Sequence, residues 1–203
     1  MRYSTRYVDW TSCGDGMRSL LLAGGRSSRM GRDKALIDVD GAPCIARVAM
    51  ALAEAGREPI RIAVAEPEDI ERYGSVLDPT IQVEWVLDAE PHAGPIEALL
   101  EAFEDPLCES ETLQLAPVDV PWIGSEVFAW LGASLEAGYA LAMPSDGLWA
   151  HPLLALVRPD RVVSALRGND RIPLHIQFTE MPHSLMLEEP SVLRKVNPPE
   201  DLE

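Results

Sequence analysis

Short apolar runs alternate with helical periodicity along most of this chain, and that alternation limits the fold more than any other feature. Leu20–Leu22, Ile60–Val64, Gln82–Leu87, Leu113–Ala116 and Tyr139–Met143 are strand-length runs, apolar on both faces. Strands of that kind belong to a parallel sheet covered on both sides. Between them, Ile45, Val48, Ala49 and Leu52 recur at helical spacing, as do Ile96, Leu99, Leu100 and Phe103. Pro43 suits the first turn of the first of these helices, and Gly56 its stop. Residues 123–136 read as a further helix closed by Gly138, Pro67 to Tyr73 as a short acidic helix or loop, and Asp40-Gly41 as a turn. After Pro144 the pattern loosens into a strand over 153–157, a helix over 159–166 and a late strand over 181–187. The expectation is an α/β fold: a single-domain, doubly wound, mostly parallel sheet with helices on both faces, joined by right-handed crossovers.

In such sheets ligands bind beyond the carboxyl ends of the strands, near the point where strand order reverses. The loop after the first run reads Leu22-Ala23-Gly24-Gly25-Arg26-Ser27-Ser28-Arg29-Met30-Gly31-Arg32-Asp33-Lys34. It carries four of the 17 Lys and Arg of a chain whose net charge is -16. Glycines let a backbone approach phosphate oxygens, and successive amides can form an anion nest. A glycine-bearing, cationic loop in an anionic protein therefore points to a phosphate-rich ligand. The spacing is neither the dinucleotide fingerprint nor a Walker A loop. The plainer reading is a tight strand-to-helix turn with solvated arginines.

Two carboxylates fall at the same sheet edge, Asp88 after the third run and Asp119 after the fourth. Asp119 lies between Pro117 and Pro121 and reads either as a turn or cap residue or as a magnesium ligand. Asp88 reads as a solvated loop carboxylate or a site residue, and Gly94 as a helix-entry glycine. Lys34 stands out because the chain has only one other lysine, Lys195. His151-Pro152 suggests a buried, hydrogen-bonded histidine with no evident chemical role.

Composition excludes several classes. A pI near 4.6 argues against general nucleic-acid binding. No apolar run approaches the ~20 residues of a membrane span. Cys13, Cys44 and Cys108 lack CxxC spacing and make neither a disulfide framework nor a zinc site with the four histidines. Residues 1–16 have no continuous apolar core of the secretory kind, so a cytoplasmic location is expected. That segment reads as an extension, disordered unless Tyr3, Tyr7 and Trp10 dock it, ahead of one domain over 17–203.

The loop from Leu22 to Lys34 resembles the signature of the molybdenum cofactor guanylyltransferases and their nucleotidyltransferase relatives. Val86-Leu87-Asp88 with Gly94-Pro95, then Pro117-Val118-Asp119-Val120-Pro121, then Val196-Asn197-Pro198-Pro199-Glu200-Asp201-Leu202 resemble the same family in the same order. The resemblance runs from about Ser19 to the C-terminus. It implies a nucleotide-diphospho-sugar-transferase-like Rossmann-type fold. It also implies Mg²⁺-dependent transfer of GMP from GTP to molybdopterin or molybdenum-molybdopterin, with release of pyrophosphate. Lys34, Arg29 and Asp119 would be catalytic, with Asp119 as the metal ligand. Leu22, Ala23, Gly24, Gly25, Lys34, Asp88, Gly94 and Asp119 would bind the nucleotide. Molybdoenzymes or cofactor-biosynthesis proteins would be partners.

The chain departs from the family at two places. Pro95-Ile96-Glu97-Ala98 replaces the usual Pro-Leu-Ala-Gly, and Ala65 stands where an asparagine ends the second strand. Both touch the base and ribose pocket, so a CTP-dependent pterin cytidylyltransferase, or a sugar-phosphate or phospholactate nucleotidyltransferase, stays open beside the guanylyl reading. Gly25 tilts the choice toward guanine. A non-catalytic nucleotide- or pterin-binding protein is the alternative of another class, and retention of both Lys34 and Asp119 weighs against it.

Overall fold

The strands line up as the alternation requires. The computed structural model describes residues 18–23, 33–88, 94–105, 108, 110–167 and 172–196. Its central sheet takes β1 (Ser19–Leu22), β4 (Ile60–Val64), β5 (Val83–Leu87), β6 (Leu113–Pro117), β7 (Leu141–Ser145), β8 (Leu156–Val157) and β9 (His183–Leu187). The remaining strands, β2 (Asp38–Val39) and β3 (Ala42–Pro43), form a separate ribbon. The order across the sheet is β5-β4-β1-β6-β8-β7-β9. Neighbours are parallel except β8, which runs antiparallel to both β6 and β7. The chain winds outward from β1 through β4 to β5, then returns to place β6 on the other flank of β1. Strand order therefore reverses between β1 and β6, and a crevice opens at their carboxyl ends.

Alternate residues of each strand face opposite layers. Leu21, Ile60, Ile62, Val64 and Ala116 pack with α1 (Cys44–Glu54), Tyr73 of α2 (Pro67–Gly74) and α4 (Ser125–Ser134). Leu20, Ala63, Leu113, Leu115 and Leu141 pack with α3 (Pro95–Glu104), α5 (Pro159–Leu166) and α6 (Leu174–Glu180). A short α7 (Pro190–Leu193) follows β9. Helices thus cover both faces.

Several details differ from the sequence expectations. Pro43 is not inside the first turn but at the N-cap of α1, and it pairs with Asp38 across the β2–β3 ribbon. Asp40 and Gly41 form the expected turn with φ of 51° and 88°, the left-handed pair that a two-residue hairpin needs. The strand expected over 153–157 shrinks to Leu156–Val157, because Pro152 opens one turn of 3₁₀ helix over Pro152–Leu154. The strand expected to start at Tyr139 starts at Leu141, since the Tyr139 amide is spent in a turn on the Glu136 carbonyl. Helix α6 carried no expectation. Only Leu174, Gln177 and Phe178 of its seven residues are buried, too short a stripe to stand out. The expectation for residues 1–16 lies outside the described residues.

One β4 residue breaks the apolar pattern. Arg61 is 1% exposed where the period-two rule puts a core side chain. Its guanidinium grips Glu84 with two hydrogen bonds of 3.0 and 3.1 Å and Asp105, past the end of α3, at 2.9 Å. It therefore ties β4 to β5 and to α3. Arg61→Ala should cost roughly 3 kcal/mol, since it strands two carboxylates and empties a packed site. For a domain this size that is a fall in Tm of about 6–12 °C. A melting curve checks it, and a shift under about 2 °C would show that the carboxylates are solvated without their partner.

Candidate active site

The switch point between β1 and β6 is where the charged residues meet. From β1 the chain passes Ala23, whose amide donates to the Ala63 carbonyl of β4 at 3.2 Å. Gly24, Gly25 and Arg29 of the cationic loop lie outside the described residues. The chain re-enters at Asp33, which caps a single 3₁₀ turn over Lys34–Leu36 by accepting from the Ala35 amide at 3.0 Å. Asp33 Oδ2 also accepts from Arg72 at 2.9 Å and from the Tyr73 hydroxyl at 2.8 Å. Burial, with Asp33 as the next cause, pushes the Tyr73 hydroxyl well above its usual range, so it stays a donor to that carboxylate. Ala35 is fully buried. The backbone of Lys34 is thus anchored on both sides, and its ammonium reaches Asp119 Oδ2 at 3.6 Å.

Asp119 enters from β6. Pro117 ends that strand, and the Val118 amide donates to the Leu22 carbonyl at 3.3 Å, tying the turn to β1. The Asp119 carbonyl accepts from the amide of Val196 at 2.8 Å. Val196 is itself fully buried with Ile37, Val39 and Cys44. The preceding Arg194 lies over the Trp122 ring at 3.6 Å. This late segment therefore fixes the Asp119 turn from behind. Asp119 Oδ1 is buried and has no hydrogen-bond partner among the described residues. A buried carboxylate oxygen without a partner is costly, and it leaves an acceptor open to a ligand.

The other sequence candidates lie along the same edge. Asp88 follows β5, with its amide on the Val64 carbonyl at 3.0 Å. Three strand spacings, roughly 14 Å, separate β5 from β6. Gly94 precedes α3 with φ 113° and ψ 173°, a conformation essentially closed to residues with a Cβ. Its glycine is demanded by the backbone. Glu97 sits in the first turn of α3 and is exposed. His151 follows β7, half-buried, with its ring 3.6 Å from Asp146. Burial holds its pKa below the usual histidine range, against the opposing pull of Asp146, so the ring is neutral at pH 7. Cys44, beneath the site, is fully buried, and burial followed by the Asp119 charge raises its thiol to about 11. It remains protonated and is no nucleophile.

With this geometry the comparisons are specific. The MobA-like NTP transferase domain family matches residues 19–177. The chain belongs to this family, and within it to the molybdenum cofactor guanylyltransferases. A molybdenum cofactor guanylyltransferase of Shewanella amazonensis is 27% identical over 194 residues, covering 91% of this chain and 93% of the relative. A probable molybdenum cofactor guanylyltransferase of Synechococcus elongatus is 35% identical over 150 residues, covering 70% and 71%. The crystal structure of molybdopterin-guanine dinucleotide biosynthesis protein A from Archaeoglobus fulgidus superposes with a TM-score of 0.67 at 20% identity, covering 92% of this chain and 95% of that one, and so shares the fold. As a guanylyltransferase of this family, the protein is a nucleotidyltransferase. No helix among the described residues is long and apolar enough to cross a membrane.

Sequence reasoning passed over Asp33, Arg72 and Tyr73, which hold Lys34 in place. An Asp directly before a short helical turn is an N-cap signature, so Asp33 was within reach; its partners, 39 and 40 residues away, were not. Asp33→Ala should lower stability by roughly 1–3 kcal/mol through the lost cap and charged hydrogen bonds. Turnover should fall further than that loss explains, because Lys34 loses its anchor. Parallel melting and initial-rate measurements check this. Unchanged turnover would mean that Lys34 is positioned by other groups.

Proposed function

We propose that the protein transfers GMP from GTP to molybdopterin or molybdenum-molybdopterin, making the guanine dinucleotide cofactor and pyrophosphate in the cytoplasm. The observation that carries this reading is the Lys34–Asp119 pair at the switch point, with one Asp119 oxygen buried and unpartnered. An oxygen of the acceptor phosphate attacks the α-phosphorus, a new P–O bond forms, and the bond to the β-phosphate oxygen breaks. The acceptor is already anionic, so the step needs no strong base, in keeping with a site whose nearest histidine is neutral and whose nearest thiol is protonated.

The residues fit Mg²⁺. Among the described residues no cluster of three or more His, Cys, Asp or Glu could hold a metal alone. Mg²⁺ asks for less, namely one or two carboxylates plus phosphate oxygens and water. Asp119 Oδ1 would hold it, leaving Oδ2 to Lys34. When bound, the ion neutralises charge on the phosphate oxygens. Lys34, with Arg29 from the cationic loop, would hold the β- and γ-phosphates and stabilise departing pyrophosphate. Ala23, whose amide is taken by the Ala63 carbonyl, would lead into the phosphate loop, and the amides of Gly24 and Gly25 would cradle the phosphates. Asp88 and Gly94, farther along the edge, would line the nucleoside end. Such a site works by positioning and charge neutralisation.

The test is pyrophosphate release by the purified protein with Mg²⁺, molybdopterin and each nucleoside triphosphate in turn. GTP should give the highest kcat/KM. A preference for CTP would assign the exposed Glu97 and the Ala65 and Ala98 substitutions to a cytidylyl pocket. Binding of GTP without pyrophosphate release would establish a carrier instead.

A further inference from the structure

A cavity opens beside the Asp119 turn. Lys34 comes from the turn that follows β1, whereas this cavity is bordered by the segment that links β7 to β8. It measures about 310 Å³ and is lined by Pro117 and Val120, which flank Asp119, and by Asp146, Trp149, His151 and Lys195. Trp149 is 72% exposed although it borders the cavity. Its backbone is held firmly. Asp146 Oδ1 accepts from the amides of Leu148 at 2.9 Å and Trp149 at 2.7 Å, and the Asp146 amide donates to the Trp149 carbonyl at 3.2 Å. The other oxygen of Asp146 lies 3.6 Å from the His151 ring. One carboxylate thus holds the Trp149 backbone and lies beside the His151 ring.

Lys195 is fixed as closely. It stands between Arg194, stacked on Trp122, and Val196, bonded to the Asp119 carbonyl. Its charge acts on His151, as does that of Asp119. The chain has two lysines in all: Lys34 reaches Asp119 directly, and Lys195 lines this cavity one residue before Val196, whose amide holds the Asp119 carbonyl. A wall with a presented indole, a neutral imidazole and one ammonium suits a flat heterocycle bearing a phosphate.

We propose that Trp149, His151 and Lys195 form the acceptor half of the site. Trp149 stacks on the planar ring of the acceptor, the His151 imidazole lines its edge, and Lys195 holds the acceptor phosphate beside Asp119, facing the α-phosphate. The proposal rests on the nucleotidyl-transfer reading and adds which residues select the acceptor.

The experiment separates the two substrates. Trp149→Ala should raise the KM for molybdopterin about tenfold, as expected for a lost stacking partner, while the KM for GTP stays within about twofold. Trp149→Phe should recover most of the loss. Lys195→Ala should likewise raise the acceptor KM about tenfold, with Lys195→Arg restoring part of it. Trp149 is exposed, so melting curves of its variants should match the wild type. A measurement without turnover runs alongside: quenching of tryptophan emission by 6-hydroxymethylpterin monophosphate, which should weaken about tenfold in Trp149→Ala. Acceptor KM and pterin binding both within twofold of wild type in the Trp149→Ala and Lys195→Ala proteins would overturn the proposal. So would a KM for GTP that rises in step with that for the acceptor. If the wild type releases no pyrophosphate yet pterin binding is lost in Trp149→Ala, the reaction reading fails and the binding subsite stands.

Discussion

Lys34→Ala should lower kcat by about 100-fold or more while the protein stays folded. The ammonium lies 3.6 Å from Asp119 Oδ2 and is 29% exposed, so it sits at the lip of the crevice and not in the core. In the proposed reaction, removing it takes away a charge aimed at the phosphates where negative charge accumulates as pyrophosphate leaves. Loss of one preorganised donor of this kind typically costs that much in rate. The fold has little to lose, because the short turn is held by Asp33 and by buried Ala35 and not by the lysine side chain. Lys34→Arg keeps the charge but replaces a compact ammonium with a wider fork, and should recover only part of the activity. Pyrophosphate release under saturating GTP, with a melting curve for each variant, decides the matter. Turnover within about tenfold of wild type would remove Lys34 from the transition state.

Much of this arrangement was legible in the chain because parallel strands announce themselves. Ile60–Val64 and Leu113–Pro117 are buried at every position, and runs of that kind have few other places to go. The position of Asp119 was legible for the same reason, since a carboxylate directly after such a strand in a wound sheet lands at the ligand edge. What stayed hidden depends on contacts between distant parts of the chain. Arg61 sits in a strand that reads as wholly apolar around it, and only the fold brings Glu84 and Asp105 to its guanidinium. Asp33 is within reach as a cap, but its hold on Arg72 and Tyr73 of α2 emerges only from the fold. The late motif at Val196 is weak as a pattern, and its function of bracing the Asp119 turn emerges only from one backbone hydrogen bond across 77 residues. Lys195 and Trp149 were invisible as a pair because they come from separate segments, one exposed and one flanked by anchored neighbours.

Asp119→Asn should abolish most Mg²⁺-dependent turnover at nearly constant volume. The carboxylate divides its two oxygens between separate tasks, Oδ2 toward Lys34 and Oδ1 buried without a hydrogen bond among the described residues. An amide has only one oxygen. With that oxygen toward Lys34, the NH₂ group occupies the Oδ1 position and presents hydrogens where a cation would bind. Turned the other way, the NH₂ group faces an ammonium, and the oxygen left for the metal is uncharged. Either orientation removes a hard anionic ligand, which Mg²⁺ requires. The backbone hydrogen bond from Val196 involves the main-chain carbonyl and survives, so the turn should keep its shape. The half-saturating Mg²⁺ concentration should rise about tenfold or more, and kcat should fall by about 100-fold or more, with Tm within a few degrees of wild type. Titrating Mg²⁺ against initial rate in both proteins checks this directly. Identical Mg²⁺ curves would place the metal on other ligands and leave Asp119 as a partner of Lys34 alone.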